Sequence, residues 1–320
     1  GIKTLSMADV DALPDVEWLV KDFLLEGTLS QIYGEASAGK TFIVLSMMLA
    51  IAYGKPWMGR RVKQGSVLYI YAEGESGLRR RLAAYKRHHK VKDTDQITFI
   101  PHAVDLLEKE VELCREVIDK LPTPPTVIVI DTFSMCAPGV DENKASDVAD
   151  WLSAARRIQQ TYGSHVMVVH HANKNGDYRG STAFRGNVDT MLEASPGSKA
   201  GIVHLEGKKQ KDEDKSRMDM WLKLEPVPLW TDKHGDEVTS CVVVASVPEE
   251  RQEKLSPNQQ KLLDALDQHT LLTHSDWIEA SQVEKDSFNT ALKALVSKRI
   301  VVKDGSGKGA KYRRFYEGGV

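Results

Sequence analysis

The sequence predicts an α/β protein whose mostly parallel sheet has an antiparallel extension and is followed by a small module of helices and strands. Short apolar runs alternate with amphipathic stretches from residue 28 to about residue 170, which is typical of a parallel sheet covered on both faces. The run 127–130 (VIVI) is apolar at every position, as expected for a strand buried on both sides. After about residue 190, strand-like segments joined by charged turns predict that the sheet continues in an antiparallel manner.

The element order follows from these patterns. Strands are expected at 28–33, 66–71, 97–100, 126–130 and 165–170, with helices at 40–53, 75–89, 105–120 and 144–162. Further strands are expected near 201–207, 218–224 and 240–247. The polar stretch 248–257 predicts a linker. It divides a core of residues 1–247, whose first 27 residues form an N-terminal segment, from a module of residues 258–320.

The module has three helix-like stretches, at 258–268, 273–280 and 285–298, and then two short strands at 300–302 and 311–315. Three helices followed by a hairpin is the order of a winged helix, a helix-turn-helix variant.

Composition excludes several classes of protein. A length of 320 residues with 41% hydrophobic and 28% charged residues fits about two soluble globular domains. The 43 Lys and Arg against 45 Asp and Glu give a net charge of −2, so any nucleic-acid contact must come from local patches. The apolar stretch 42–53 is too short to span a bilayer. Three scattered cysteines argue against a disulfide framework or a zinc finger and suit a cytoplasmic location.

A phosphate-binding loop is the most specific motif. Residues 34–41 fit the pattern G-x-x-x-x-G-K-[ST] at every fixed position. The residues expected to bind nucleotide are Gly34, Glu35, Ala36, Ser37, Ala38, Gly39, Lys40 and Thr41. Such a loop turns its N–H groups toward an anion at a helix N-terminus. The lysine reaches the β- and γ-phosphates of ATP, and the threonine hydroxyl binds Mg²⁺.

Two carboxylates follow predicted strands. Asp131 ends the apolar run 127–130, and the ends of parallel strands line the ligand crevice. Asp131 is therefore predicted to hold Mg²⁺ through water, the alternative being a cap of the following turn. Glu73 follows the strand 66–71 and is predicted to polarise the attacking water. Alternatively, both Glu73 and Glu75 are acids that begin the next helix.

With these pieces in order, the chain resembles RecA-fold P-loop ATPases, specifically the RepA-like replicative DNA helicases of plasmids and phages. The resemblance covers about residues 13–214. It rests on GEASAGKT (34–41), YAEGESGLRRRL (71–82), VIVIDT (127–132), DENKASD (141–147), VVHHANK (168–174), RGSTAFRGNVD (179–189) and KKQKDED (208–214).

The resemblance implies roles for individual residues. Glu73 matches the catalytic glutamate after the second core strand, and His171 matches a γ-phosphate sensor, whereas His170 is expected to be a buried histidine. Lys209 and Lys211 resemble basic fingers that reach the nucleotide of a neighbouring subunit. Many ring helicases carry a lysine and an arginine there, so Arg179 and Arg185 remain competitors for this role.

Two segments are candidates for DNA contact. The glycine-rich segment 172–186 carries Lys174, Arg179 and Arg185 with the interleaved aromatic residues Tyr178 and Phe184. Basic groups neutralise phosphates and aromatic faces stack on bases, but a lid or a subunit contact would suit the segment too. The predicted C-terminal hairpin is also rich in basic residues. Its candidates for DNA contact are Lys308, Lys311, Arg313 and Arg314. A winged helix also serves as a protein-docking module.

These observations predict an enzyme that hydrolyses ATP with Mg²⁺ and acts as a ring-type DNA helicase or translocase in plasmid or phage replication. The resemblance implies a homo-oligomeric ring, expected to be a hexamer, that moves on single-stranded or forked DNA and meets replication proteins. The alternative is an ATP-dependent DNA-binding accessory or regulator without unwinding activity. A signalling ATPase with no DNA role fits the basic C-terminal cluster less well.

Overall fold

The computed structural model describes residues 4–15, 17–73, 75–171, 182–211, 213–247, 255–269, 271–297, 300–305, 307 and 310–314. Its contacts divide the chain into two compact units, Gly1–Val247 and Pro248–Val320. Most of the predicted linker 248–257 lies outside the described residues.

The first unit is built on one large twisted sheet. Its described strands are β3 (Leu29–Gly34), β4 (Val67–Tyr71), β5 (Ile97–Ile100), β6 (Val127–Asp131), β7 (His165–His171), β8 (Thr190–Pro196), β9 (Ile202–Gln210), β10 (Met220–Thr231) and β11 (Glu237–Ser246). Their order is β11-β10-β9-β8-β3-β7-β6-β4-β5. Strands β8 to β5 are parallel, and β9 to β11 extend the sheet in an antiparallel manner. The predicted α/β fold is confirmed.

Helices cover both faces of this sheet. They are α2 (Lys40–Tyr53), α3 (Glu75–His89), α4 (Leu106–Glu112), α5 (Ala145–Tyr162) and α6 (Thr182–Asn187). A further short helix, α1 (Met7–Asp11), has no buried residue. Alternate strand residues face opposite layers: Tyr69 and Val129 pack with α2, whereas Leu68 and Ile128 pack with α5. Helix α2 is apolar around its whole circumference and is almost completely buried, whereas α5 buries one face.

Several elements differ from the sequence prediction. The predicted helix 105–120 is α-helical only over α4 and continues as a π-helical turn and a short 3₁₀ turn. Strand β8 was not predicted because its short sequence has no apolar alternation. Strand β10 extends to Thr231 through Pro226 and Pro228, which predict a break. A short antiparallel pair, β1 (Trp18–Val20) and β2 (Leu24–Leu25), was also not predicted.

The second unit has its own core. Its described elements are α7 (Pro257–His269), β12 (Leu272–Thr273), α8 (His274–Ser281), α9 (Lys285–Ser297), β13 (Val301–Asp304) and β14 (Lys311–Arg314). The strands form an antiparallel sheet in the order β12-β14-β13. Trp277 is fully buried against Phe288 and donates a hydrogen bond from its indole N–H to the carbonyl of Leu262 at 2.7 Å. This core ties the three helices together.

Within the described part of the chain, we find no helix that is both long and apolar enough to cross a membrane.

Candidate functional site

A cleft lies where the carboxyl ends of the central strands meet. The register pairs Gly34 at the end of β3 with His171 at the end of β7, while Asp131 ends β6 and Glu73 follows β4. The cleft has a volume of about 160 Å³ and opens to solvent. It is lined by Ala36, Ser37, Gly39, Lys40, Thr41, Phe42, Glu73, Arg81, His171 and Leu224. The fold therefore brings several of the predicted site residues to one place.

Two glycines give the loop 34–41 its shape. A Cβ atom at Gly34 would lie 2.0 Å from the carbonyl oxygen of Ala194 in β8, so only glycine fits there. Gly39 has a φ of 73° and precedes α2 without a side-chain cap. The first N–H groups of α2 have no intrahelical acceptor, and its first residues, Lys40 and Thr41, line the cleft. This end of α2 is suited to bind an anion.

The ammonium group of Lys40 lies inside the loop. Its Nζ donates hydrogen bonds to the carbonyl oxygens of Gly34 at 2.9 Å and Glu35 at 2.7 Å, and lies 3.1 Å from Nδ1 of His171. Burial lowers the pKa of Lys40 to about 8, although the nearby carboxylate of Asp131 opposes this shift. The ammonium group is hydrogen-bonded to neutral carbonyl oxygens, so a bound phosphate would supply a negative charge beside it.

Asp131 is fully buried beside the start of α2. Its Oδ1 lies 3.4 Å from the Thr41 hydroxyl, and its Oδ2 accepts a hydrogen bond from the Tyr69 hydroxyl at 2.7 Å. Burial raises the pKa of Asp131 to about 6. The following peptide bond, to Thr132, is cis. No group of three or more His, Cys, Asp or Glu side chains suited to a metal occurs among the described residues. A hydroxyl and one carboxylate match the way Mg²⁺ binds in proteins, where phosphate oxygens and waters supply the other ligands.

Glu73 lies at the edge of the cleft beside a cation that the sequence analysis missed. Its Oε2 is 3.9 Å from Nη1 of Arg81. The same guanidinium group donates to the Tyr71 hydroxyl at 2.6 Å and stacks over the ring of Phe42. Glu75 is the first residue of α3, so Glu73 precedes the helix. The sequence signal for Arg81 is weak, because it lies ten residues beyond the end of β4 and within α3.

The two adjacent histidines occupy different environments. His171 is half-buried at the cleft, where burial and then Lys40 lower its pKa. His170 is buried, as predicted, and its ring packs against Phe133 and Phe184. The alternation of a strand turns these neighbours to opposite faces of the sheet.

Lys209 and Lys211 lie far from the loop of their own chain. Strand β9 runs antiparallel to β8 and pairs Gln210 with Thr190, which pairs in turn with Ser30 at the start of β3. Four residues of strand, or about 13 Å, separate this edge from Gly34. Lys211 is exposed. Lys209 instead donates to the carbonyl oxygens of Arg185 at 2.8 Å and Val188 at 2.5 Å, and burial lowers its pKa.

The candidates for DNA contact are only partly described. Arg185 is exposed on α6, and Lys311 is exposed at the start of β14. Lys174, Arg179 and Lys308 lie outside the described residues, as do the side chains of Arg313 and Arg314.

The interpretation of Phe184 as a base-stacking residue is wrong. Its side chain is completely buried between Phe133 and His170. Tyr178, its predicted partner in stacking, lies outside the described residues.

Comparisons with known proteins agree with this architecture. A family model described as AAA domain (AAA_25) matches residues 2–177. No curated protein matches the chain.

Two solved structures are similar to the chain. The RadB recombinase shares 13% sequence identity, with 62% of this chain and 88% of that chain covered and a TM-score of 0.43. The flagellar accessory protein FlaH from Methanocaldococcus jannaschii shares 14% identity, with 70% and 91% covered and a TM-score of 0.45.

The family match spans the phosphate loop, the strand that ends in Asp131 and the strand that ends in His171. The sheet around that loop is that of a RecA-like P-loop ATPase core. On this evidence the chain belongs to the AAA_25 family of AAA domains.

Proposed function

We propose that the protein is an ATP-hydrolysing DNA translocase of the ring-helicase type, resembling RepA-like replicative helicases. The observation that carries the proposal is the convergence of Lys40, Thr41, Asp131, Glu73 and His171 on one cleft. Residues 1–247 would form the motor, residues 248–257 the linker, and residues 258–320 a winged-helix module.

In this proposal the loop 34–41 binds the phosphates of ATP through its backbone N–H groups, and Lys40 moves its ammonium group from the loop carbonyls to the β- and γ-phosphates. Thr41 and Asp131 would hold Mg²⁺, which when bound neutralises charge on the phosphate oxygens. The donor set fits this ion because both side chains present oxygen atoms 3.4 Å apart.

Glu73 is the proposed general base. It accepts a proton from a water molecule whose oxygen forms a bond to the γ-phosphorus, while the bond from that phosphorus to the β–γ bridging oxygen breaks. The products are ADP and phosphate. Arg81, 3.9 Å from the carboxylate, helps to hold this base at the edge of the cleft. His171, in contact with Lys40, is placed to respond to the γ-phosphate.

The placement of the lysine pair supports ATP hydrolysis between subunits. Lys209 and Lys211 lie at the opposite edge of the sheet from the loop of their own chain, so each could serve only a nucleotide held by another copy. Contacts of this kind are head-to-tail, and they generate a ring when the rotation closes. The resemblance suggests a hexamer. Lys211 is the better candidate for the trans-acting finger, because Lys209 is engaged by carbonyl groups of its own chain.

DNA contact is proposed at two places. Arg185 is exposed on α6, next to the basic segment that also contains Lys174 and Arg179. The helix order and the antiparallel sheet of the second unit support a winged helix in which Lys311 lies on the wing strand. Single-stranded or forked DNA is the proposed partner of the ring, and the second unit would engage either duplex DNA or a replication protein.

The test is the ATPase rate with and without single-stranded DNA. Wild type should show stimulation. Lys40→Ala should lose hydrolysis, and Glu73→Gln should bind ATP while its rate falls by about 10²–10⁴. Full activity in Lys40→Ala would remove the assignment of the loop. ATPase without any DNA stimulation would argue against a translocase.

A strand-displacement assay separates the two DNA-dependent readings. Unwinding of a forked duplex that requires ATP supports the helicase. DNA-stimulated ATPase without strand displacement supports the alternative, an ATP-dependent accessory or regulator.

A further inference from the structure

Four buried rings form a cluster, here called the ring cluster, directly behind the cleft. It consists of Phe133, Trp151, His170 and Phe184, each at most 1% exposed. Phe184 stacks on His170 with an interplanar angle of 20° and a centroid distance of 5.3 Å. Phe133 meets Phe184 edge-on at 5.1 Å and His170 edge-on at 5.0 Å. Trp151 closes the cluster against Phe133 at 4.8 Å.

Two members of this cluster lie within two residues of His171 or Asp131 along the chain. His170 directly precedes His171, and Phe133 lies two residues after Asp131. The backbone N–H of Phe133 donates to the carbonyl of Val169 at 2.8 Å, which joins the two strand ends. A displacement of Asp131 would therefore move Phe133, and a displacement of His171 would move His170. Both of these rings contact Phe184.

Phe184 belongs to α6, a helix of six residues. A helix this short is not stable by itself, so its position depends on its tertiary contacts. At its C-terminal end, Lys209 donates to the carbonyl oxygens of Arg185 and Val188, and Arg156 donates to the carbonyl of Asn187. In its middle, Phe184 anchors it in the ring cluster. Arg185, the next residue, is exposed to solvent.

We infer that Phe184 is a positioning residue. Through it, the position of Arg185 on α6 depends on whether ATP is bound in the cleft. The inference rests on the proposed function and deepens it, because it names the contact through which the cleft acts on a DNA-contact residue. Close-packed rings cannot absorb a shift by compression. When the γ-phosphate draws His171 and Lys40 into a new arrangement, His170 turns with its neighbour, and the stacked ring of Phe184 moves α6 with it.

Ordinary core packing would also bury Phe184, so the test needs a readout that packing alone does not move. Hydrogen exchange of the amides of residues 182–190 is measured by mass spectrometry, with and without a non-hydrolysable ATP analogue and Mg²⁺. The wild type is compared with Phe184→Met, which keeps apolar volume but loses the flat stacking face. The matched control is Phe23→Met, a fully buried ring that packs edge-on against Trp57 in the other layer of the core.

The wild type and Phe23→Met should show a several-fold change in exchange of this segment when the analogue binds. Phe184→Met should bind the analogue with unchanged affinity and lose the change in exchange. The ratio of DNA-stimulated to basal ATPase should fall toward 1 in Phe184→Met alone. An undiminished exchange response in Phe184→Met would overturn the inference.

If Phe184→Met does not fold, hydrogen exchange of the wild type alone still tests the inference. Analogue binding without any change in exchange at 182–190 would overturn the inference and leave the proposed function intact. Failure of the analogue to bind at all would overturn the proposed function, and this inference with it.

Discussion

The hydroxyl of Tyr69 donates a hydrogen bond to Oδ2 of Asp131 at 2.7 Å, and both side chains are completely buried. Burial raises the pKa of Asp131, and this hydrogen bond opposes the rise. Burial, and after it the same carboxylate, holds the pKa of Tyr69 well above its ordinary value. Tyr69 therefore keeps the carboxylate beside Thr41 ionised at a lower pH than burial alone would allow.

Tyr69→Phe should shift the pH profile of the ATPase. Loss of a hydrogen bond to a charged group, which contributes about 1.5–3 kcal/mol, raises the pKa of Asp131. The acid limb of kcat should then move to higher pH by about 1 unit or more. Tyr162→Phe is the control, because its hydroxyl bonds Asp119 at the surface. An acid limb that stays in place in Tyr69→Phe would contradict the role of this contact.

Asp131→Asn should stabilise the fold while it abolishes hydrolysis. The pKa of Asp131 is raised from 3.8 to about 6 in the native state. The native state therefore binds the proton more tightly than the unfolded state, and the stability this gives is lost as the pH rises from 3.8 through about 6. Above that pH the ionised carboxylate is destabilising, by about 1–3 kcal/mol.

Urea unfolding at pH 8 and at pH 5 measures this effect. The gain in unfolding free energy of Asp131→Asn over wild type should be larger at pH 8 and should shrink at pH 5. Equal gains at the two pH values would show that the carboxylate does not titrate as proposed.

Arg81→Gln should slow hydrolysis without weakening ATP binding. The guanidinium group lies 3.9 Å from Glu73 and is fixed by Phe42 and Tyr71. Without this partner the Glu73 carboxylate can adopt other side-chain positions. Misplacement of a catalytic group lowers the rate by up to about 10²-fold. Single-turnover rates and nucleotide affinity separate the two effects. Arg80→Gln, one residue away and exposed, should match wild type in both measurements.

Gly34→Ala should destabilise the core by at least about 1–3 kcal/mol. Its Cβ would overlap the carbonyl oxygen of Ala194, a backbone atom that cannot move without shifting β8. Gly186→Ala is the matched control, since its Cβ meets no atom within 4 Å. Thermal unfolding of the two variants provides the comparison, and equal melting temperatures would refute the close approach of β3 and β8.

Lys209→Ala and Lys211→Ala should differ in stability. Lys209 donates to the carbonyl oxygens of Arg185 and Val188. Its loss should lower the unfolding free energy by about 1–3 kcal/mol, and the melting temperature should fall accordingly. Lys211 is exposed, and its loss should leave the melting temperature unchanged. Loss of ATPase in Lys211→Ala with a wild-type melting temperature would identify it as the finger; wild-type ATPase in that variant would exclude it.

The sequence predicts the central elements well because their signals are local. The bounds of α2 and α3 and of strand β5 agree with the prediction, and β3, β4, β6 and β7 agree to within a residue at each end. Apolar runs of strand length and long helical repeats carry this information within a few turns of chain. The phosphate loop is equally local, since its glycines and lysine stand in one octapeptide.

The sequence could not reveal features that depend on distant parts of the chain. Arg81 is one arginine of three in a row, and only the turn of α3 decides which one faces Glu73. Phe184 lies among polar and basic residues that favour a surface position, but contacts with Phe133 and His170 bury it. Similarly, Pro226 and Pro228 lie within the long strand β10 against their usual preference.

The register of β8 and β9, which puts Lys209 and Lys211 at the far edge from Gly34, has a genetic consequence. In the proposed head-to-tail assembly, a chain with an inactive loop would still supply its lysine finger to a neighbouring chain, and a chain with an inactive finger would still bind ATP. An equal mixture of the two inactive chains would regain about one working junction in four. Two alleles that each fail alone would therefore complement each other when expressed in the same cell.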